Sequence, residues 1–131
     1  MEKIILINEI SEGGGWSSKS GFAISTDKQV IKLLIDNHQD CCEHWGYFMS
    51  EDNLNSFIGA SIKSISLTDT ALNTKRIDEE LPYGVENGGC MFVNIDTDRG
   101  CLQFTAYNSH NGYYGHEATV ISEQLNYEKY L

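Results

Sequence analysis

The sequence predicts an α+β domain that is mostly β, an antiparallel sheet built as a meander of hairpins with one or two short helices. Short apolar runs alternate with turn residues along most of the chain. Proline, which interrupts strands, occurs once, at Pro82. The 131 residues fit one domain, and a hydrophobic content of 40% provides a core without disulfide or metal staples.

The first half of the chain predicts strands and one short helix. Strands are expected at 2–10, 21–26, 30–37 and 44–49. Residues 27–29 would join the second and third strands as a hairpin. Residues 11–20 contain three consecutive glycines and Trp16, which predicts a flexible loop. A helix is expected within 50–58, because polar residues can cap its start and Gly59 follows it.

The second half predicts a strand at 62–68, then an acidic irregular excursion at 69–89. A three-strand meander follows, at 91–97, 102–107 and 113–122. A two-residue turn at Arg99-Gly100 would place the apolar side chains of the first two strands on one face. These side chains are Met91, Val93, Ile95, Leu102, Phe104 and Ala106.

The second turn of this meander is predicted at Asn111-Gly112, the strongest short hairpin signal. A two-residue turn there would place Tyr107 opposite His116. Phe92 would then join these two side chains on one face, as a recognition patch or as ordinary cross-strand packing.

Charge limits the classes of partner. The net charge is −10; residues 1–76 hold 7 basic and 10 acidic residues (net −3), and residues 77–131 hold 2 and 9 (net −7). Such a chain repels nucleic acid and anionic membranes but can attract a basic protein surface, including a nucleic-acid-binding groove. A charge that only maintains solubility is the simpler alternative. The acidic partner surface is expected at Asp78, Glu79, Glu80 and Glu86.

The four cysteines, Cys41, Cys42, Cys90 and Cys101, are expected to be reduced. A bridge between the adjacent Cys41 and Cys42 would be strained, and in the predicted hairpin Cys90 and Cys101 lie near opposite ends. The apolar start at residues 4–7 lacks the features of a secretory signal, and no run approaches membrane-spanning length. A cytoplasmic location is therefore expected.

Residues 38–44 carry the densest chemistry in the chain, with two imidazoles, two thiols and two carboxylates. The groups belong to His38, Asp40, Cys41, Cys42, Glu43 and His44. One hypothesis is a zinc site in which His38, Cys42 and His44 share a strand face and His110 or His116 completes the ligands. No ligand-spacing rule supports it, so no metal or other cofactor is firmly expected.

A cysteine nucleophile assisted by histidine is a second hypothesis for this segment, although Asp40 and Glu43 disfavour a neighbouring thiolate. The third is plain packing, with the cysteines as small buried hydrophobes. Phosphate loops, dinucleotide-binding glycine patterns and hydrolase motifs are absent from the sequence. Whether the protein is an enzyme is left open, with the balance against it.

Residues 34–43, with the run His38-Gln39-Asp40-Cys41-Cys42-Glu43, resemble a family of short uncharacterised phage and prophage proteins with a Q-D-C-C-E core. The late Asn111-Gly112-Tyr113-Tyr114 is similar to the closing hairpin of that family. The chain departs from the pattern where His38 directly precedes Gln39, and in His44-Trp45-Gly46. The resemblance spans residues 22–122 and implies a sheet-rich α+β domain from a phage genome.

The resemblance implies an accessory protein that binds and inhibits a host protein, as anti-CRISPR and other anti-defence proteins do. The alternative is a small ligand- or metal-handling protein, for example one acting on a nucleotide signal. Its site would comprise His38, Cys41 or Cys42, His44 and His116, with Tyr113 and Tyr114 as stacking surfaces. Tyr107 is a further candidate binding residue. A third possibility is a structural or assembly role through an exposed strand edge, and the oligomeric state is left open.

Overall fold

A computed structural model describes residues 2–14, 18–39, 43–85, 87–110, 112 and 115–131. These residues form nine strands, one α-helix and one 3₁₀ helix. The strands are β1 (Glu2–Glu12), β2 (Lys19–Thr26), β3 (Val30–Asp36), β4 (Glu43–Met49), β5 (Ser61–Thr68), β6 (Asn87–Thr97), β7 (Gly100–His110), β8 (Glu117–Ile121) and β9 (Asn126–Tyr130). The α-helix α1 is Thr74–Glu80 and the 3₁₀ helix is Leu54–Phe57. The mostly-β prediction is confirmed.

All nine strands belong to one antiparallel sheet in the order β4-β7-β6-β5-β1-β2-β3-β8-β9. β1 joins the two halves, because Glu2 and Lys3 pair with β5 while the strand from Ile4 onward pairs with β2. A register shift between Ile4 and Leu6 bends β1 at this point. The two halves therefore face each other, and Phe22 of β2 meets Phe104 of β7 edge-on with ring centroids 6.3 Å apart.

The core lies between the two halves and takes side chains from both. Its fully buried members include Ile24, Ile31, Leu33, Ile35, Val120, Val93, Ile95, Leu102 and Phe104. Each such aliphatic or aromatic side chain contributes about 1.5 to 3 kcal/mol on leaving water. In β6 the alternation of buried and less buried side chains shows which face turns inward.

The first predicted hairpin is present with its turn one residue earlier. Thr97 pairs with Gly100, so the turn residues are Asp98 and Arg99. The Thr97 hydroxyl donates to the Gly100 carbonyl (2.7 Å) and accepts from the Arg99 amide (3.1 Å). Gly100 has a φ of +112°, which suits glycine. The predicted face is confirmed, since pairs such as Val93 with Phe104 keep the same parity.

The second predicted hairpin is wrong. β8 pairs with β3 and β9, whereas β7 lies between β4 and β6 and has no free edge to offer. Tyr107 is opposite Gly46 and Cys90 rather than His116. Phe92 and Tyr107 share the face of the sheet that points away from the core, which we call the outer face. His116 instead contacts Trp45, which points towards the core. Asn111, in the predicted turn, lies outside the described residues.

The helix expected within 50–58 is a single 3₁₀ turn. Asn53 precedes it without a side-chain cap, and Gly59, with a φ of +87°, follows as predicted. The loop expected at 11–20 is shorter, because β1 continues to Glu12 and β2 begins at Lys19. Trp16 falls outside the residues that the structure describes.

The prediction that residues 69–89 form an irregular segment is wrong in part, because this range contains α1. The Asn73 side chain accepts a hydrogen bond from the Arg76 amide at 3.0 Å and caps the helix. The buried Gln103 holds the preceding segment on the sheet: its Oε1 accepts from the Leu72 amide at 2.9 Å and its Nε2 donates to the Thr70 carbonyl at 3.0 Å. α1 is thereby fixed on the outer face of β4 and β7.

Candidate functional site

β4 divides the predicted site between two faces of the sheet. Successive side chains of a strand point to opposite sides. Glu43 and Trp45 point inward, towards His116. His44 points outward, towards Glu80 at the end of α1. Residues adjacent in sequence therefore belong to two separate clusters.

The inner cluster is centred on His116, which is fully buried. Its Nδ1 lies 2.7 Å from the carbonyl oxygen of Asp36, and its Nε2 lies 2.7 Å from Oε2 of Glu43. A carbonyl only accepts, so Nδ1 carries hydrogen. The bond to Glu43 needs one further proton, on the ring or on the carboxyl group. The side chains of both partners are 0% exposed, so this proton is shielded from solvent.

Two aromatic rings pack on His116. The ring of His38 is stacked 4.4 Å away with an interplanar angle of 7°, and that of Trp45 is 5.1 Å away at 27°. The structure thus brings together three predicted site residues, His38, Glu43 and His116. It adds Trp45, which sequence reasoning missed. Because both nitrogens of His116 are engaged, the ring is bound as a structural element of the core.

The remaining predicted site residues are dispersed or lie outside the described residues. Those outside are Asp40, Cys41, Cys42, Tyr113 and Tyr114. His38 and His44 lie on different sides of β4. Nδ1 of His110 accepts from the Gly112 amide at 2.9 Å. Within the described ranges no group of three or more His, Cys, Asp or Glu side chains could hold a metal, and the zinc site stays a prediction.

The two described cysteines are free thiols. Burial raises the pKa of the Cys90 thiol, which Lys129 only partly offsets. Burial together with Asp96 raises the pKa of Cys101 to about 11. Neither thiol is ionised at neutral pH, so neither has the character of an activated nucleophile.

The outer cluster is centred on Glu80. The hydroxyl of Tyr107 donates to Oε2 of Glu80 (2.9 Å), Nε of Arg76 donates to Oε1 (3.0 Å), and Nε2 of His44 lies 2.7 Å from the backbone oxygen of Glu80. Burial, followed by the bond to Glu80, raises the pKa of Tyr107 strongly. Burial alone would raise the pKa of Glu80, but the bonds from Tyr107 and Arg76 outweigh it and lower this pKa.

The residues of the predicted acidic surface differ in exposure. Asp78 and Glu79 are exposed on α1, whereas Glu80 is half-buried and anchors the helix. Glu86 lies outside the described residues. Beyond α1, Tyr83 is 99% exposed, and a groove of about 450 Å³ runs between it and His44. We call Asp78, Glu79 and Tyr83 the acidic–aromatic surface.

Sequence reasoning missed Tyr83, although a signal was present. The residue lies between Pro82 and Gly84, two turn formers, directly after the acidic residues of α1. An aromatic side chain at a turn tip has few neighbours to pack against. The missing information was the helix itself, which raises this turn above the sheet.

The fold and these clusters define a small domain made of one folded antiparallel sheet that carries an acidic helix on its outer face. Residues 2–120 match the model of a family described as a domain of unknown function, DUF7448, and the chain belongs to this family. No curated protein and no solved structure matches the chain. The described residues contain no helix long and apolar enough to span a bilayer.

Proposed function

We propose that the protein binds a basic surface of another protein through the acidic–aromatic surface. The observation that carries this proposal is the exposure of Tyr83, 99%, beside the exposed carboxylates of Asp78 and Glu79. Tyrosine provides a large amphipathic contact area at a low entropic cost and is enriched among the residues that dominate binding energy. Carboxylates beside it attract and orient a basic partner.

The support beneath this surface favours binding without rearrangement. Glu80 is held by Tyr107 and Arg76, and Leu81 is buried at the end of α1. A rigid base lowers the cost of ordering side chains on association. Asp78, Glu79 and Tyr83 therefore project from a fixed helix end and its adjoining turn.

The resemblance to phage and prophage proteins supports a finer version of the proposal. In it, the protein is a phage-encoded accessory protein of the anti-defence or host-takeover kind, acting in the host cytoplasm. Its target would be a host protein whose basic surface handles nucleic acid. Covering that surface with carboxylates would exclude the nucleic acid by competition for the same positive charges.

The test compares two double variants that change net charge equally. D78K/E79K reverses the proposed surface, and E123K/E128K reverses two exposed carboxylates at the other end of the chain. Immobilised protein is incubated with host lysate and the captured protein is identified by mass spectrometry. We expect D78K/E79K to lose about 90% of a basic partner, with capture by the wild type falling steeply with salt. Equal capture by both variants would refute the proposal.

The alternative of a ligand- or metal-handling site at 38–44 gains less support from the geometry. Both ring nitrogens of His116 are engaged at 2.7 Å, which leaves neither for a metal or a substrate. His44 lies on the other face of β4. This alternative therefore depends on Cys41 and Cys42, outside the described residues, and it stays a prediction.

A further inference from the structure

Among the described residues, β4 ends the sheet on one side, and its outer backbone edge pairs with no other strand. The amide of Ser50, just after β4, donates to the Gln103 carbonyl of β7 at 2.8 Å. Every second residue of an antiparallel strand bonds to the same neighbour, so this bond shows which residues of β4 bond to β7. Residues at even positions, such as Gly46 and Phe48, therefore bond to β7. The amides and carbonyls of Trp45 and Tyr47 point away from the sheet. Nothing in the described part of the chain bonds to these amides.

A groove of about 410 Å³ lies beside the C-terminal end of this edge, where Tyr47, Phe48 and Met49 line it. Three aromatic side chains contribute to its lining: Tyr47 meets Phe22 edge-on at 5.7 Å, and Phe48 lies on the opposite face of β4. The hydroxyl of Tyr47 donates to Glu9 at 3.1 Å, which places a carboxylate on the inner side of the groove. An open edge beside a lined groove is the arrangement to which extended peptides add as strands.

The charges around the groove select the kind of segment that fits. Three carboxylates line it, those of Glu9, Glu51 and Asp52. The one cation in its described lining, Arg76, is paired with Glu80 and lies over the Phe48 ring at 4.9 Å. The groove therefore has an uncompensated negative charge, which favours lysine or arginine side chains and disfavours acidic ones.

We propose that β4 accepts an extended basic segment of a partner protein as an additional antiparallel or parallel strand. Main-chain bonds would form to Trp45 and Tyr47, and basic side chains at alternate positions would meet Glu9 on one side and Glu51 and Asp52 at the end. This site is separate from the acidic–aromatic surface. The proposals for the two sites can therefore be refuted independently of each other.

The probe is a ten-residue peptide of alternating lysine and valine with blocked ends, added to the ¹⁵N-labelled full chain. Amide hydrogen exchange is followed by NMR. Strand addition should slow exchange about tenfold or more at Trp45 and Tyr47, the equivalent of about one net hydrogen bond each. Gly46 and Phe48, already bonded to β7, should change by less than about twofold. This alternation distinguishes strand addition from diffuse attraction to an acidic protein.

Matched controls complete the test. E51K/D52K should weaken peptide binding about tenfold, and E123K/E128K, with the same change in net charge, should weaken it by less than about threefold. The same peptide N-methylated at every residue should lose binding because neither of its edges can donate a hydrogen bond. The proposal would be overturned if the lysine–valine peptide did not bind at millimolar concentration, or if a glutamate–valine peptide bound equally well. It would also be overturned by equal losses of binding in the two variants, or by protection from exchange that does not alternate along β4.

Discussion

Glu43 and His44 are neighbours in sequence, yet each takes part in a different contact between a histidine and a glutamate. Glu43 meets His116 at 2.7 Å, with both side chains 0% exposed. Nε2 of His44 lies 3.9 Å from the carboxylate oxygen Oε2 of Glu80, with side chains 57% and 27% exposed. The same two residue types thus form a buried pair on one side of β4 and a solvated pair on the other.

This difference separates residues that hold the fold from residues that a partner can reach. Removing one member of a buried pair strongly destabilises the fold, because the charge of the other member then stays buried without its partner. A solvated pair is worth at most about 1 kcal/mol. The density of chemistry in residues 38–44 therefore says little about function until the face of each side chain is known.

The largest effect is expected for His116→Ala. It removes the partner of both Glu43 and the Asp36 carbonyl inside the core. We expect a loss of about 3 to 5 kcal/mol in the free energy of unfolding, measured by urea denaturation. His44→Ala is the matched control and should cost less than about 1 kcal/mol. Similar losses in the two variants would contradict the contrast.

A smaller effect is expected for Gly46→Ala, which tests the support beneath α1. A Cβ at Gly46 would clash with the hydroxyl group of Tyr107, and Tyr107 is buried. The ring must shift and weaken its bond to Glu80, at a cost of about 1 to 3 kcal/mol. Gly14→Ala, where a Cβ meets nothing within 4 Å, should change stability by less than about 1 kcal/mol. A G46A variant as stable as the wild type would show that Tyr107 is not fixed.

A still smaller effect is expected for Tyr107→Phe, about 1 kcal/mol at neutral pH. The pKa of Glu80 is lowered in the folded state, so its contribution is present above its ordinary pKa of 4.5 and lost as pH falls through the folded value. The pKa of Tyr107 is raised, so its contribution is present below about 10 and lost as pH rises above it.

Tyr107→Phe should therefore cost most between about pH 5 and 9 and least at either extreme. Denaturation curves for the variant and the wild type at several pH values measure this difference. Phe48→Leu, which changes packing nearby without removing a hydrogen bond, is the control and should show a difference that does not vary with pH. A constant difference for Tyr107→Phe would mean that the bond to Glu80 contributes nothing.

The smallest effect on stability is expected for Tyr83→Ala. The side chain is 99% exposed, so the free energy of unfolding should change by less than about 0.5 kcal/mol. Partner capture should nevertheless fall about tenfold or more, since exposed tyrosines of this kind act as binding anchors. Tyr130→Ala, at a residue 73% exposed on β9, should leave capture unchanged. Undiminished capture by Y83A would remove Tyr83 from the proposed interface.

Short-range patterns predicted most strands, because alternation and turn residues act within a few positions. They predicted the faces of β6 and β7 even with the turn misplaced, since both turns keep the parity of Val93 and Phe104. Asn111-Gly112 misled because a turn signal specifies local geometry and not which strand has a free edge. β8 pairs with β3, a partner about 85 residues earlier in the chain.

The site was less predictable, because local sequence patterns do not specify which distant residues meet. Glu43 and His116 are separated by 73 positions, and only the folding of the sheet across β1 brings them together. α1 was predictable in part, because the sequence contains the Asn73 cap and the Arg76–Glu80 pair at helical spacing. The exposure of Tyr83 was not, since it depends on where that helix rests.

The most direct test of the central claim is site-specific photocrosslinking in host lysate. Benzoylphenylalanine replaces Tyr83 in one variant and Tyr127 of β9, 40% exposed, in a second. We expect position 83 to form an adduct with a basic host protein, which excess wild-type protein or D78K/E79K in the same chain should prevent. Position 127 should form a far weaker adduct. Equal adducts from both positions, or none from position 83 with a partner that the wild type captures, would contradict it.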